Sequence, residues 1–169
     1  MKQKKSAPKV SLAQRRKLLQ SLRNNAEQGA RSQNSDRYKI VADTSLLVSG
    51  LFWSGAENKV LKHLVLNHEF IVSQYIVDEL IDFSSSVYPK ISRKHKKEIE
   101  QFFDSFLIDT ADSEEFGKIN IRDVADEPIV KFALDNSAVI VSSDTDFIEY
   151  PDAEPVILSP QEYQELFMK

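Results

Sequence analysis

The sequence predicts an α/β fold, a three-layer sandwich around a central, mainly parallel five-stranded sheet with a basic N-terminal arm. Three observations carry that expectation. Short β-branched apolar runs recur without polar alternation, as strands buried on both faces do. Segments with a 3.6-residue apolar period separate them, and this βαβα order is that of a parallel sheet with crossover helices. The 169 residues suffice for one self-sufficient core with an appendage.

Residues 38–42 (YKIVA) form the first expected strand, which ends on Asp43. Apolar residues continue through Leu46, Leu47, Val48, Leu51 and Phe52 to a break at Ser54-Gly55, and residues 56–66 have the period of a helix. Residues 70–72 give a second strand. Ser73 then caps a helix that buries Ile76, Val77, Leu80 and Ile81 and carries Glu79 in its middle. Residues 92–106 make a strongly charged helix over Ile99, Phe102, Phe103 and Phe106, and 107–109 a third strand. The next helix starts around Asp126 with Pro128 in its first turn, where the missing N–H does no harm. It continues through Ile129, Val130, Phe132 and Ala133 to a fourth strand at 139–141. A fifth strand at 156–158 leads into Ser159-Pro160-Gln161-Glu162, a capping box with Pro at the first helical position, which opens a terminal helix.

Charge divides the chain into an arm, residues 1–37, and a domain, residues 38–169. Residues 1–40 hold eleven Lys/Arg against Glu27 and Asp36, a net +9, which leaves eleven Lys/Arg against 24 acids, or −13, for the rest. Within the arm, Ser11 and Gln14 form a capping box for a short helix with Leu12, Leu18, Leu19 and Leu22 on one face. Arg15, Arg16, Lys17 and Arg23 make its remaining surface basic and are the candidate phosphate-binding residues, since each cation that neutralises a phosphate releases counterions. A solvated, partly disordered tail is an equally open reading of the arm, and the helix could instead dock on the domain or contact a partner. Residues 24–37 have little to bury and mark a linker.

Several function classes fall away. With no cysteine, disulfides, iron–sulfur clusters and thiolate zinc sites are excluded, in keeping with a reducing cytoplasm. His63, His68 and His95 lack the paired spacing of a zinc site and read as surface residues. No run approaches the ~20 apolar residues of a membrane span, and the N-terminus lacks the apolar block of a signal peptide. A soluble, cytoplasmic protein without membrane contact is expected.

The chemistry lies in the acids. Ligands bind parallel sheets beyond the carboxyl ends of the strands, where Asp43 follows the first strand and Asp144, with Asp146, follows the fourth. With right-handed crossovers those two strands can be neighbours in mid-sheet. Asp126 and Glu79 sit on helices that could face the same crevice. Each alone has a plainer reading: Asp126 an N-cap, Asp144 a turn former, Glu79 an exposed helix residue like Asp78 and Asp82. Asp43 is harder to dismiss, because a carboxylate closing an apolar strand is costly unless something pairs with it. Four carboxylates in one crevice stay ionised at neutral pH only around a cation, and hard oxygen ligands suit Mg²⁺ or Mn²⁺, the ions of two-metal phosphodiester hydrolysis.

Four stretches together resemble the PIN-domain nucleases: Ile40-Val41-Ala42-Asp43-Thr44-Ser45, Val77-Asp78-Glu79-Leu80, Arg122-Asp123-Val124-Ala125-Asp126-Glu127-Pro128-Ile129, and Val139-Ile140-Val141-Ser142-Ser143-Asp144-Thr145-Asp146-Phe147. The resemblance spans residues 38–169, and the last two stretches are most similar to the branch of toxin components of toxin–antitoxin systems. It implies a metal-dependent endoribonuclease with Asp43, Glu79, Asp126 and Asp144 as catalytic and metal-binding acids and Asp146 as a fifth metal ligand. Ser45 and Ser142 would be supporting hydroxyls. It further implies RNA as substrate, an antitoxin protein as partner and a homodimer. The family's Arg-Asp-Pro-Asp-Asp-Asp-Pro run reads Arg-Asp-Val-Ala-Asp-Glu-Pro here, so Asp123, Asp126 and Glu127 compete for one role. Spacing to Ile129 matches the family's Asp-x-x-Ile pattern and favours Asp126.

A dehalogenase-type phosphatase would use Asp144-x-Asp146, but only 23 residues follow Asp146, too few for its later motifs. A receiver domain would need a Lys near residues 156–158, where none stands. The competing class is a PIN-like RNA-binding or partner-binding module without turnover.

Overall fold

A computed structural model describes residues 37–52, 55–87, 93–108 and 118–169. The expected helix at 11–24, with Arg15, Arg16, Lys17 and Arg23, lies outside the described residues. Arg37, placed in the linker by composition, donates from Nη2 to the Leu66 carbonyl at 3.2 Å. No described helix is long and apolar enough to cross a membrane.

Four strands form one parallel sheet among the described residues: β1 (Lys39–Ala42), β2 (Glu69–Phe70), β3 (Val139–Val141) and β4 (Ile157–Leu158), in the order β2-β1-β3-β4. Ile40 pairs with Phe70 on one side and Val139 on the other, and Val141 pairs with both Ala42 and Leu158. Ile40, Val41 and Ala42 are all buried. Successive strand residues point to opposite faces, so both faces of the sheet are covered, as the unalternated apolar runs imply. That cover is compatible with three layers.

The expected five strands reduce to four. Of the strand expected at 107–109, the described residues Leu107 and Ile108 give one parallel bridge, between Val72 and Leu107, held by Ile108 N–H donating to the Val72 carbonyl and Val72 N–H donating to the Phe106 carbonyl, both 3.0 Å; residue 109 lies outside the described residues. The helix before it ends at Asp104, so the chain turns at 105–106 and reaches Val72 only at Leu107.

Seven α-helices occur among the described residues: α1 (Thr44–Phe52), α2 (Ala56–Asn67), α3 (Gln74–Val87), α4 (Arg93–Asp104), α5 (Glu127–Asp135), α6 (Thr145–Ile148) and α7 (Pro160–Phe167). The capping box opening α7 forms as its sequence requires, with Glu162 N–H donating to Ser159 Oγ at 3.1 Å and Ser159 N–H to Glu162 Oε2 at 2.8 Å. Helix α1 packs on α2 and α3, and α2 on α7. Gly50 makes the first contact possible: a Cβ there would stand 2.8 Å from Leu61 Cδ2 and 3.0 Å from its Cβ. Leu46, Leu47, Leu64, Ile76, Leu80, Phe103 and Phe132 fill the core, each contributing about 1.5–3 kcal/mol by leaving water.

Two of the histidines depart from the surface reading. His68 is buried among the rings of Tyr38, Tyr163 and Phe167, and His63 is half-buried with Nδ1 2.8 Å from the Tyr163 hydroxyl. The imidazole of His68 serves as a flat ring in an aromatic cluster, neither nitrogen having a hydrogen-bond partner. Burial first, then the neighbouring His63 and Arg37, depress its pKa to about 4. The side chain of His95 lies outside the described residues.

Candidate functional site

The strand order places a topological switch between β1 and β3. The chain leaves β1 for β2 on one side and β3 for β4 on the other, so the loops after β1 and β3 part and leave a crevice at their carboxyl ends. Asp43 follows β1, and Ser142-Ser143-Asp144 follow β3. Asp43 N–H donates to the Val141 carbonyl at 3.3 Å, which ties the two strand ends together.

Asp43 is only 2 % exposed and is held from three directions. Oδ2 accepts from Ser45 Oγ at 2.7 Å and from Ser142 Oγ at 2.6 Å, and Oδ1 accepts from Leu46 N–H at 3.0 Å. The last bond makes Asp43 the side-chain cap of α1. A carboxylate offers about four acceptor positions, so one lone pair on Oδ1 stays open. Ser142, wholly buried, also accepts from Asp144 N–H at 3.0 Å, so one hydroxyl links Asp43 to the β3 loop. Asp144 caps α6, with Oδ1 accepting from Asp146 N–H at 2.9 Å.

Glu79, at mid-α3, accepts from Thr44 Oγ1 at 2.7 Å, which joins α3 to the start of α1. One turn earlier on α3, the Tyr75 hydroxyl donates to the Ala125 carbonyl. Ala125 belongs to the 3-10 turn Val124–Asp126, which Asp123 caps by accepting from Ala125 N–H at 3.0 Å. Asp126 ends that turn and precedes α5, and its side chain makes no capping bond.

Asp43, Glu79, Asp126 and Asp144 thus line one cleft of about 750 Å³, together with Thr44, Ser45, Val48, Ser49, Asp82, Phe83 and Ser86. None of these lining residues is basic. Burial raises the Asp43 pKa to about 6, against the lowering effect of its three hydrogen bonds. Asp126 rises to about 7, by burial and then by repulsion from Asp123, Asp144, Glu79 and Asp43. The cleft carries more negative charge than its own donors offset.

The donor set is all oxygen, which suits a hard divalent cation. Among the described residues no three acids stand close enough to enclose an ion as they are. Mg²⁺ keeps several waters and takes one or two carboxylates directly, so the residues present fit such an ion held partly through water.

The four acids expected from the sequence come together. Asp146 does not join them: it lies outside the lining residues and pairs with Arg122, Nη1 to Oδ1 3.4 Å. Of the competing acids at 123–127, Asp123 is the turn's cap and Asp126 lines the cleft. Sequence reasoning missed Thr44, Tyr75, Asp82 and Phe83. Tyr75, Asp82 and Phe83 stand four before, three after and four after Glu79, the spacings that share a helix face, and that signal was available.

Fold and site define a parallel α/β protein with an acidic, oxygen-lined cleft at its switch point. No protein family, no curated protein and no solved structure matches the chain.

Proposed function

We propose that this chain is a PIN-like ribonuclease of the three-layer kind, dependent on Mg²⁺ or Mn²⁺, and the toxin component of a toxin–antitoxin pair. The observation that carries the reading is the convergence of Asp43, Glu79, Asp126 and Asp144, from four separate stretches, on one cleft with no basic residue among its described lining. A solitary cap or turn former has no reason to meet three others there. Burial raises the pKa of both Asp43 and Asp126, and repulsion from the neighbouring acids adds to the rise at Asp126, which is the cost a bound cation would offset.

Asp43, Glu79, Asp126 and Asp144 would hold the ion. When bound, it supplies an activated water and offsets charge on the phosphate during hydrolysis. The chain's own residues do the rest. Ser45 and Ser142 fix the Asp43 carboxylate, and Thr44 fixes Glu79. No protein nucleophile is needed, in keeping with a chain without cysteine. The resemblance extends the reading to a small antitoxin that holds the enzyme inactive and to a homodimer.

One observation favours a second reading, a PIN-like RNA-binding or partner-binding module without turnover: the acids do not enclose an ion as they stand. A cleavage assay on single-stranded RNA with Mg²⁺, Mn²⁺ or chelator separates the two. Metal-dependent cuts, abolished by Asp43→Asn and Asp144→Asn, support the nuclease. RNA binding without cleavage in either metal sinks it in favour of the module.

A further inference from the structure

The acids of the cleft come from elements far apart in sequence, so their spacing depends on how those elements are fastened. Thr44 fastens α1 to Glu79 on α3, and the hydroxyl–carboxylate bonds of Ser45 and Ser142 fasten α1 to the β3 loop. The turn carrying Asp126 has no such bond from its own acid, since the Asp126 side chain caps nothing. Its internal bonds, Asp123 Oδ1 from Ala125 N–H and Asp123 carbonyl from Asp126 N–H, both 3.0 Å, shape the turn without attaching it to the cleft's other wall. Tyr75 makes that attachment.

We infer that Tyr75 is a positioning residue: by donating from α3 to the Ala125 carbonyl, it fixes the distance between Glu79 and Asp126. The inference rests on the reading of the cleft as a metal site. Three features argue for it. The accepting carbonyl belongs to the residue immediately before Asp126, so the bond acts within one peptide unit of the acid's backbone. Tyr75 lies one helical turn before Glu79, so the same rigid segment of α3 presents both groups. Val124, beside Ala125 in the turn, is 71 % exposed and supplies no apolar anchor in place of the bond.

Tyr75→Phe keeps the ring and removes only the hydroxyl. Three measurements on the full chain test the inference: Mn²⁺ affinity by calorimetry, amide hydrogen exchange by NMR, and the thermal midpoint. The expected result is a Mn²⁺ dissociation constant weakened by about 10-fold or more, as for other groups that orient metal ligands. The amides of Ala125 and Asp126 exchange faster, while those of Val41 and Ile140 in the sheet keep their protection. If Mn²⁺ affinity and turn exchange both match the parent, Tyr75 positions nothing and the inference is overturned. If sheet amides lose protection in step with the turn, Tyr75 supports the fold as a whole, which also overturns it. A parent that binds no Mn²⁺ refutes the metal reading instead, and exchange at Ala125 and Asp126 then decides whether the tether exists.

Discussion

Asp43 has two roles whose effects on stability oppose each other. As a cap it completes α1, a contribution of about 0.5–2 kcal/mol, and as a buried charge without a cation it costs stability. Asn keeps a cap oxygen and removes the charge. Asp43→Asn is therefore expected to melt at or above the parent temperature without metal, and Asp43→Ala below it. Added Mg²⁺ stabilises the parent by mass action and the Asn variant much less. Thermal melts of the three proteins with and without Mg²⁺ check this, and an Asn variant that melts well below the parent in chelator makes Asp43 structural alone. Proton linkage gives a second prediction. Asp43 titrates at about 6 in the fold against an ordinary 3.8, so the fold binds the extra proton and gains stability as pH falls through 6. His68 acts in the opposite sense. It titrates at about 4 in the fold against 6.5, so the unfolded chain takes the proton first and stability falls as pH drops from 6.5 toward 4. His68→Phe, which suits a site ringed by Tyr38, Tyr163 and Phe167, is expected to hold its stability better than the parent over that window in denaturant titrations. Loss of stability at pH 7 as large as at pH 5 would show that the imidazole makes a polar contribution. Neither the burial of His68 nor its neighbours was legible in the sequence, because Tyr38 and Phe167 reach it from opposite ends of the domain. Asp43 was legible, since an acid closing an apolar strand has few cheap explanations.

Helices with a charged outer face announced themselves, and the helices without one did not. Helices α2, α3, α5 and α7 show apolar stripes or caps in the sequence and stand within a few residues of their expected bounds. Helix α1 went unassigned because Leu46, Leu47 and Val48 are consecutive and all buried, and its half-buried side is marked only by the small residues Thr44, Ser45 and Ser49, so no charged face reveals a helical period. The single turn α6 is too short to have a period at all. At the strand expected over 107–109, the described apolar pair Leu107-Ile108 gives one bridge in place of a ladder. Helix α1 matters most, since it carries Thr44 and Ser45 and is seated on α2 through Gly50. A methyl at Gly50 gains roughly 1 kcal/mol of helix propensity, but it meets the Leu61 Cβ at 3.0 Å and the Glu57 carbonyl at 3.3 Å. Overpacking of that kind costs about 1–3 kcal/mol, so Gly50→Ala is expected to be net destabilising in urea unfolding. A variant as stable as the parent would show that α1 can slide on α2, and the fixed seat of Thr44 and Ser45 would have to be abandoned.

At the scale of the molecule, the acidic domain and the basic arm set a division of labour. The cleft gathers acids, while the net charge is +9 in residues 1–40 against −13 in 41–169, so on the proposed reading the attraction for phosphate lies at the other end of the chain. Strand β1 sits in mid-sheet with both partners drawn from later residues, so β1 is paired on both sides by residues of the domain. Removing residues 1–36 is expected to leave a cooperatively folding domain with a melting temperature close to that of the full chain. RNA affinity is expected to fall, and its dependence on salt to flatten, because each arm cation in contact with a single strand adds about 0.7 to the slope of log affinity against log salt. Binding isotherms for both proteins over a range of salt concentrations measure it. Equal slopes would mean that the arm does not touch RNA, which would leave docking on the domain or contact with a protein partner as its role. A truncated chain that fails to fold would instead make the arm part of the domain, and the boundary near residue 37 would be misplaced.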